Sequence, residues 1–271
     1  MKRLVIGGLL PVMLLACQRE APPPTAPVAG AAQDAEVVPV PEGPGHLEDV
    51  VEMDARFIVG ISYPPEANKY PGLAAELHRY AQGARDELMD AVRGAELPAG
   101  TMYDLSLSFT TIADTPDLLA IAADGSSYTG GAHDAPLVER FVWLVAEERL
   151  LTAETLLARP ESWQPVASYV REQLHAALSQ RIDADELEPD ERSRLMRSAG
   201  KMIDEGSGPD VDNYQQFEPV VGPGGKLVAL RFVFPPYQVG PYSDGVQTVE
   251  VPASVLLPHV AERYRALFVQ G

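Results

Sequence analysis

A single cysteine, Cys17, occurs in a chain of 271 residues, and it stands directly after Leu14-Leu15-Ala16 at the end of a short apolar segment. One thiol cannot close an intramolecular disulfide. Whatever this chain folds into must therefore be held by buried apolar side chains and hydrogen bonds. The remaining constraints come from the order in which polar, apolar and turn-forming residues follow one another.

Lys2 and Arg3 precede an apolar stretch, residues 4–15, that is too short to span a bilayer comfortably, and the stretch ends in a lipobox at Cys17. Residues 1–16 resemble a bacterial lipoprotein signal peptide. Cleavage before Cys17 and acylation of its thiol would then tether the mature chain to a membrane without crossing it. An ordinary signal peptide or a short membrane helix is the alternative. No later apolar run approaches the roughly 18–20 residues of a spanning helix. Gln18, where an aspartate would resemble an inner-membrane retention signal, favours the outer membrane facing the periplasm in a cell with two membranes.

Without residues 1–16 the chain carries 19 Lys and Arg against 39 Asp and Glu, a formal charge of −20. Such a surface excludes nonspecific binding to nucleic acid or anionic lipid and would attract a cationic partner, or it simply keeps the protein soluble. Residues 17–46 carry Pro22, Pro23, Pro24, Pro27, Pro39, Pro41 and Pro44 and few large apolar side chains, the composition of a tether. Fully extended, it would reach about 90 Å.

Folded sequence begins near Leu47. Phe57, Val59, Ile61 and Tyr63 follow the period of a strand, and Leu73, Leu77, Tyr80, Ala84, Leu88 and Val92 the period of a helix, closed by Gly94 and Pro98. Residues 103–110 alternate most cleanly. Further strands are expected at 118–123 and 138–145, separated by a glycine-containing stretch at 124–134. In the second half, helices are expected at 163–182 and 190–204, followed by a loop, a strand at 227–234, a loop at 235–245 and a strand at 246–251. A last helix from Ala253 or Ser254 would place Leu256, Val260, Tyr264 and Leu267 on one face, with Pro258 in its first turn. Together these elements predict an α+β fold of two subdomains, residues 47–147 and 148–271, each with an antiparallel sheet packed against helices.

Motifs of catalysis and cofactor binding are missing. The chain contains no H-E-x-x-H, G-x-S-x-G, Walker loop or G-x-G-x-x-G. Its histidines, His46, His78, His133, His175 and His259, show no paired ligand spacing, so neither a metal nor a cofactor is expected. The carboxylates around 183–191 have the pattern of a solvated face.

Two loops stand out instead. Tyr128-Thr129-Gly130-Gly131-Ala132-His133 has paired glycines that permit positive φ; its histidine either satisfies a local hydrogen bond or contacts a ligand. The second runs from Pro235 to Gly245 and contains Tyr237, Gly240, Pro241 and Tyr242. Prolines stiffen it and tyrosines offer contact area at low entropic cost, which suits a binding lip; equally, the tyrosines could pack the loop onto a sheet.

The Y-x-G-G-A-H element at 128–133, Leu150-Leu151-Thr152-Ala153-Glu154-Thr155-Leu156-Leu157, and the segment from Phe234 to Pro252 together resemble the RsiV-like family. In that family a PdaC-like domain of unknown function precedes a C-terminal domain best known from the extracellular part of a lysozyme-sensing anti-sigma factor. The resemblance spans about residues 47–268. It implies binding of lysozyme or another peptidoglycan-associated partner, with Tyr237 and Tyr242 as anchors and Gly130, Gly131 and His133 shaping the adjacent loop. The signalling output is not implied, since no sigma-binding segment is recognisable. Two alternatives follow: a cell-wall glycan-modifying enzyme, because the N-terminal domain type also occurs beside a peptidoglycan deacetylase, and a structural envelope lipoprotein with no dedicated ligand.

Overall fold

The computed structural model describes residues 46–94, 102–184 and 187–270. Cys17, the signal segment and all but the last residue of the tether lie outside them, as does Pro98. The described residues belong to one compact unit.

The chain enters through β1 (Val50–Met53) and β2 (Phe57–Ser62), crosses over through α1 (Pro71–Gly94), and continues as β3 (Tyr103–Asp114), β4 (Leu118–Tyr128), β5 (Ala135–Leu144) and β6 (Arg149–Leu150). These six strands form one sheet in sequence order. All its pairings are antiparallel except β2 with β3, which the α1 crossover makes parallel. The helix forms where the apolar spacing placed it: Leu73, Leu77, Ala81, Ala84, Leu88 and Val92 are buried against one face of the sheet, where Val59, Ile61, Leu105, Leu107 and Phe109 meet them. Each fully buried leucine or valine contributes about 1.5–3 kcal/mol.

The second half contains α2 (Ala153–Leu156), α3 (Trp163–Ala184), α4 (Pro189–Gly206), β7 (Phe217–Val221), β8 (Leu227–Phe234), β9 (Gln247–Pro252) and α5 (Ala253–Leu256). Strands β7, β8 and β9 form an antiparallel sheet with β8 in the middle. The apolar run of β8 suits a central strand, while Pro219 and Pro252 sit on its edge neighbours, where a missing N–H breaks no ladder. Trp163 of α3 stacks on Tyr214 at 5.0 Å, and Phe232 of β8 meets Tyr214 edge-on at 5.2 Å. The Tyr214 hydroxyl donates to the Ser207 carbonyl at 2.9 Å.

The two halves share a wall. In β4 six successive residues from Leu118 to Ala123 are buried because both faces are covered. Leu119, Ile121 and Ala123 face α1, whereas Leu118 and Ala120, with Val142 and Leu144 of β5, enter the core of the second half.

The α+β class and the packing of antiparallel-dominated sheets against helices hold, with four local corrections. The stretch 124–134 is mostly strand: β4 runs on to Tyr128, and only residues 129–134 form the connection. Gly125 permits this because a Cβ there would lie 2.0 Å from the Ser106 carbonyl oxygen. Strand β7 occupies sequence expected to be loop, since Pro219 obscured it. Strand β1 was likewise absent from the expected elements; it is a four-residue edge strand paired with β2. The last helix stops after one turn: residues 262–267 form a separate 3₁₀ turn, and the Ala261 N–H donates to the Leu156 carbonyl at 2.9 Å instead of continuing the helix. Leu257, before Pro258, is still helical at φ −52° and ψ −38°, but Pro258 has no N–H to continue the ladder, and the chain turns away at Ala261, ψ 136°, while Leu256, Val260 and Tyr264 still reach the core.

Candidate functional site

The β4–β5 connection and the β8–β9 loop, far apart in sequence, meet in space. Gly130 and Gly131 take φ of 91° and 122°, values that side chains rarely adopt. They turn the chain so that His133 lies against Tyr242 of the second loop, ring centroids 4.7 Å apart and planes 20° from parallel. His133 is exposed and stacks across the two loops, and among the described residues it has no hydrogen-bond partner. Tyr242 in turn lies 5.7 Å from Tyr237. Tyr128 anchors the base of the first loop by its edge-on contact with Tyr103 at 6.5 Å and by a long bond from its hydroxyl to the Gly131 carbonyl, 3.4 Å.

The second loop is rigid for reasons that can be named. The Tyr237 N–H donates to the Gly240 carbonyl at 3.0 Å, and this small ring holds Tyr237 at φ 75°. A non-glycine residue in that region is strained and persists only where its surroundings over-determine it. Pro235 and Pro236 precede it, and Gln238 ties the loop to the body by donating to the carbonyls of Gly206 at 3.0 Å and Asn213 at 2.9 Å. Val239 and Gly240 are buried, Pro241 is exposed, and Asp244 accepts from Arg181 of α3 at 2.8 Å. The result is a fixed loop whose Tyr237 is 56% exposed and points its area outward.

All eight residues singled out as a binding lip are thus brought to one place: Tyr128, Gly130, Gly131 and His133 from one loop, Tyr237, Gly240, Pro241 and Tyr242 from the other. Carboxylates border them. Asp134 follows His133, and burial, reinforced by Asp134, holds the Asp104 carboxyl above the ordinary range.

A second polar arrangement was not foreseen. Arg140 of β5 has a side chain only 6% exposed, and it donates to Glu218 of β7 at 2.7 Å, to Asp124 at 2.9 Å and to the carbonyls of Ala123 and Glu139. Glu218, 8% exposed, also accepts from Arg231, which reaches Glu250. This chain of charges joins the two sheets. Its only sequence signal was a charged residue at an otherwise apolar strand position.

Among the described residues no three His, Cys, Asp or Glu side chains are grouped to hold a metal ion, and no helix is long and apolar enough to cross a membrane. The fold and the lip define an α+β protein that presents an aromatic surface assembled from two loops. Residues 159–254, from just before α3 to α5, match the sequence model of a family described as a protein of unknown function, DUF3298. Similar solved structures include a DUF3298 member from Bacteroides fragilis, with TM-score 0.48, 15% identity, and coverage of 80% of this chain and 92% of that one. Another is a DUF3298 protein from Pseudomonas aeruginosa, with TM-score 0.45, 16% identity, and coverage of 85% and 99%. No curated protein matches this chain.

Proposed function

We propose that this protein is a lipid-anchored binding protein of the cell envelope, in the manner of the RsiV-like family, which captures a cationic protein partner, lysozyme being the leading candidate, on the lip formed by His133, Tyr237 and Tyr242. The observation that carries the reading is the meeting of the two loops, with a strained and exposed Tyr237 beside a stacked His133–Tyr242 pair. Rigid aromatic side chains presented from braced loops are what high-quality protein interfaces use as anchors, because little entropy is lost on contact. The acidic surface supports encounter with a cationic partner by long-range steering. An anchor at Cys17 would hold the partner at the membrane, with the outer membrane facing the periplasm as the favoured site.

The test is capture of lysozyme by the full chain at low and at physiological salt. Binding is expected at both, weaker as salt rises, and Tyr237→Ala and Tyr242→Ala should each reduce affinity by about tenfold or more. No capture at low salt sinks the partner; capture undiminished by both substitutions sinks the site.

A further inference from the structure

A cleft of about 480 Å³ lies away from the lip, between α1 and the β5–β6 edge of the large sheet. One wall is a single stripe of α1, Glu76, Tyr80, Gly83 and Glu87, at helical spacing. The other wall carries Leu137, Glu139 and Phe141 of β5 and Leu150 of β6. Tyr80 and Phe141 meet edge-on at 5.9 Å and form an aromatic floor.

Gly83 is the unexpected member. It occupies the middle of a 24-residue helix, where glycine destabilises relative to alanine, and no close approach of another chain segment explains it: a Cβ there would meet nothing within 4 Å. What its missing side chain does provide is an unobstructed stretch of cleft beside the aromatic floor. The charges around that opening do not balance. Arg79 pairs with Glu76 on its own helix, and Arg140 is taken up by Glu218 and Asp124. Among the described residues Glu87 and Glu139 have no ion-pair partner. Glu139 is moreover desolvated, and this burial raises its carboxyl above the ordinary range despite partial relief from the Gln216 amide, the Arg140 backbone N–H and the Arg140 charge. A carboxylate in that condition gains by receiving a cation.

We propose that this cleft binds a small organic cation, an alkylammonium group of the kind borne by a lysine side chain or a diamine, with the ammonium against Glu139 and Glu87 and the alkyl chain over Gly83 along Tyr80 and Phe141. The aromatic faces favour a cation over a neutral group, and the carboxylates exclude an anion. The site is independent of the lip and stands or falls without it.

The experiment is calorimetric titration of the full chain, in neutral detergent, with cadaverine and with glutarate, an anion of the same carbon count. Cadaverine should bind saturably within a range of up to about 10 mM, appropriate to so small a ligand, and glutarate should not. Glu139→Gln should weaken cadaverine binding by about tenfold. Gly83→Leu should abolish binding while leaving the melting temperature unchanged or higher, because leucine is the better helix former and projects into open space. No saturable heat with cadaverine overturns the proposal. So does equal binding of glutarate, or binding retained in both variants, which would mean that the diamine sits elsewhere on the acidic surface.

Discussion

Replacing Arg140 with methionine tests the connection between the two sheets. The Arg140 and Glu218 side chains are 6% and 8% exposed and 2.7 Å apart, so solvent screens their attraction little. Methionine keeps much of the volume and removes the charge, leaving Glu218 buried with only Arg231 at 3.2 Å, whose own side chain is 39% exposed and shared with Glu250. Breaking a buried pair from one side costs about 3–5 kcal/mol, chiefly for the charge left behind, whereas the half-exposed Asp124 contact adds about 0–1 kcal/mol. Against a total stability of about 5–15 kcal/mol this is a large fraction. Urea unfolding followed by circular dichroism should show a midpoint lowered by about 1–2 M. Arg140→Met combined with Glu218→Met should be less damaging than the single change, because no orphan charge remains. A cost below about 1 kcal/mol for Arg140→Met, or a double variant that loses the sum of the two singles, would show that the pair is not coupled in this way.

Three further outcomes follow from the same geometry. Gly72→Ala should destabilise by about 1–3 kcal/mol in urea, because its Cβ would fall 2.4 Å from the Trp143 ring; an unchanged midpoint would show that the indole moves aside freely. Burial pushes Tyr63 and Tyr80 up to about 12 and Tyr214 higher still, so absorbance at 295 nm should show these three of ten tyrosines ionising late, and the stability they contribute below pH 10 should be lost as pH rises through 12. Glu139 is raised by burial, so it favours the native state below its ordinary value of 4.5 and loses that advantage as pH climbs through its folded value. Glu139→Gln should therefore gain on the wild type between pH 4 and pH 7, and an identical difference at both would contradict the sign.

The periodic elements were legible because each buries one face. Helix α1 shows its stripe from Leu73 to Val92, β3 alternates buried and exposed from Tyr103 to Phe109, and β8 is apolar throughout because it lies in the middle of its sheet. Of the edge strands β9 was legible by its alternation, and β1, β6 and β7 were not. Pro219 made β7 look like a loop, although an edge strand tolerates proline, and β6 has two residues, too few for any period. The lip residues could be chosen from sequence because prolines, paired glycines and tyrosines mark a stiff loop; that the two loops would touch depended on the docking of two sheets, which no local pattern encodes. The same holds for Arg140 and Glu218, separated by 78 positions. Gly83 is the opposite case: visible in the sequence as a poor helix residue, and meaningful only once the space beside it is known.

Both the lip and the buried Arg140–Glu218 pair bridge the two sheets. The β8–β9 loop is braced onto the helices by Arg181 with Asp244 and by Gln238 with the end of α4, where Gly206 is required because a Cβ would lie 1.9 Å from the Gln238 carbonyl oxygen. The β4–β5 tip, by contrast, projects from the other sheet and meets Tyr242 through the His133 stack. An aromatic pair of this kind contributes about 0.5–1.5 kcal/mol, well below the cost of breaking the Arg140–Glu218 pair. The stack therefore reports how the sheets are docked and does not itself dock them. Arg140→Met should accordingly shift the His133 ring resonances toward those of an unstacked imidazole under conditions where the protein remains folded, while Tyr242→Ala should do the same with a stability change no larger than the stack itself. A His133 spectrum unaltered by Arg140→Met would mean that the tip is held by forces local to the lip, and the two loops would then form a unit independent of the sheets beneath them.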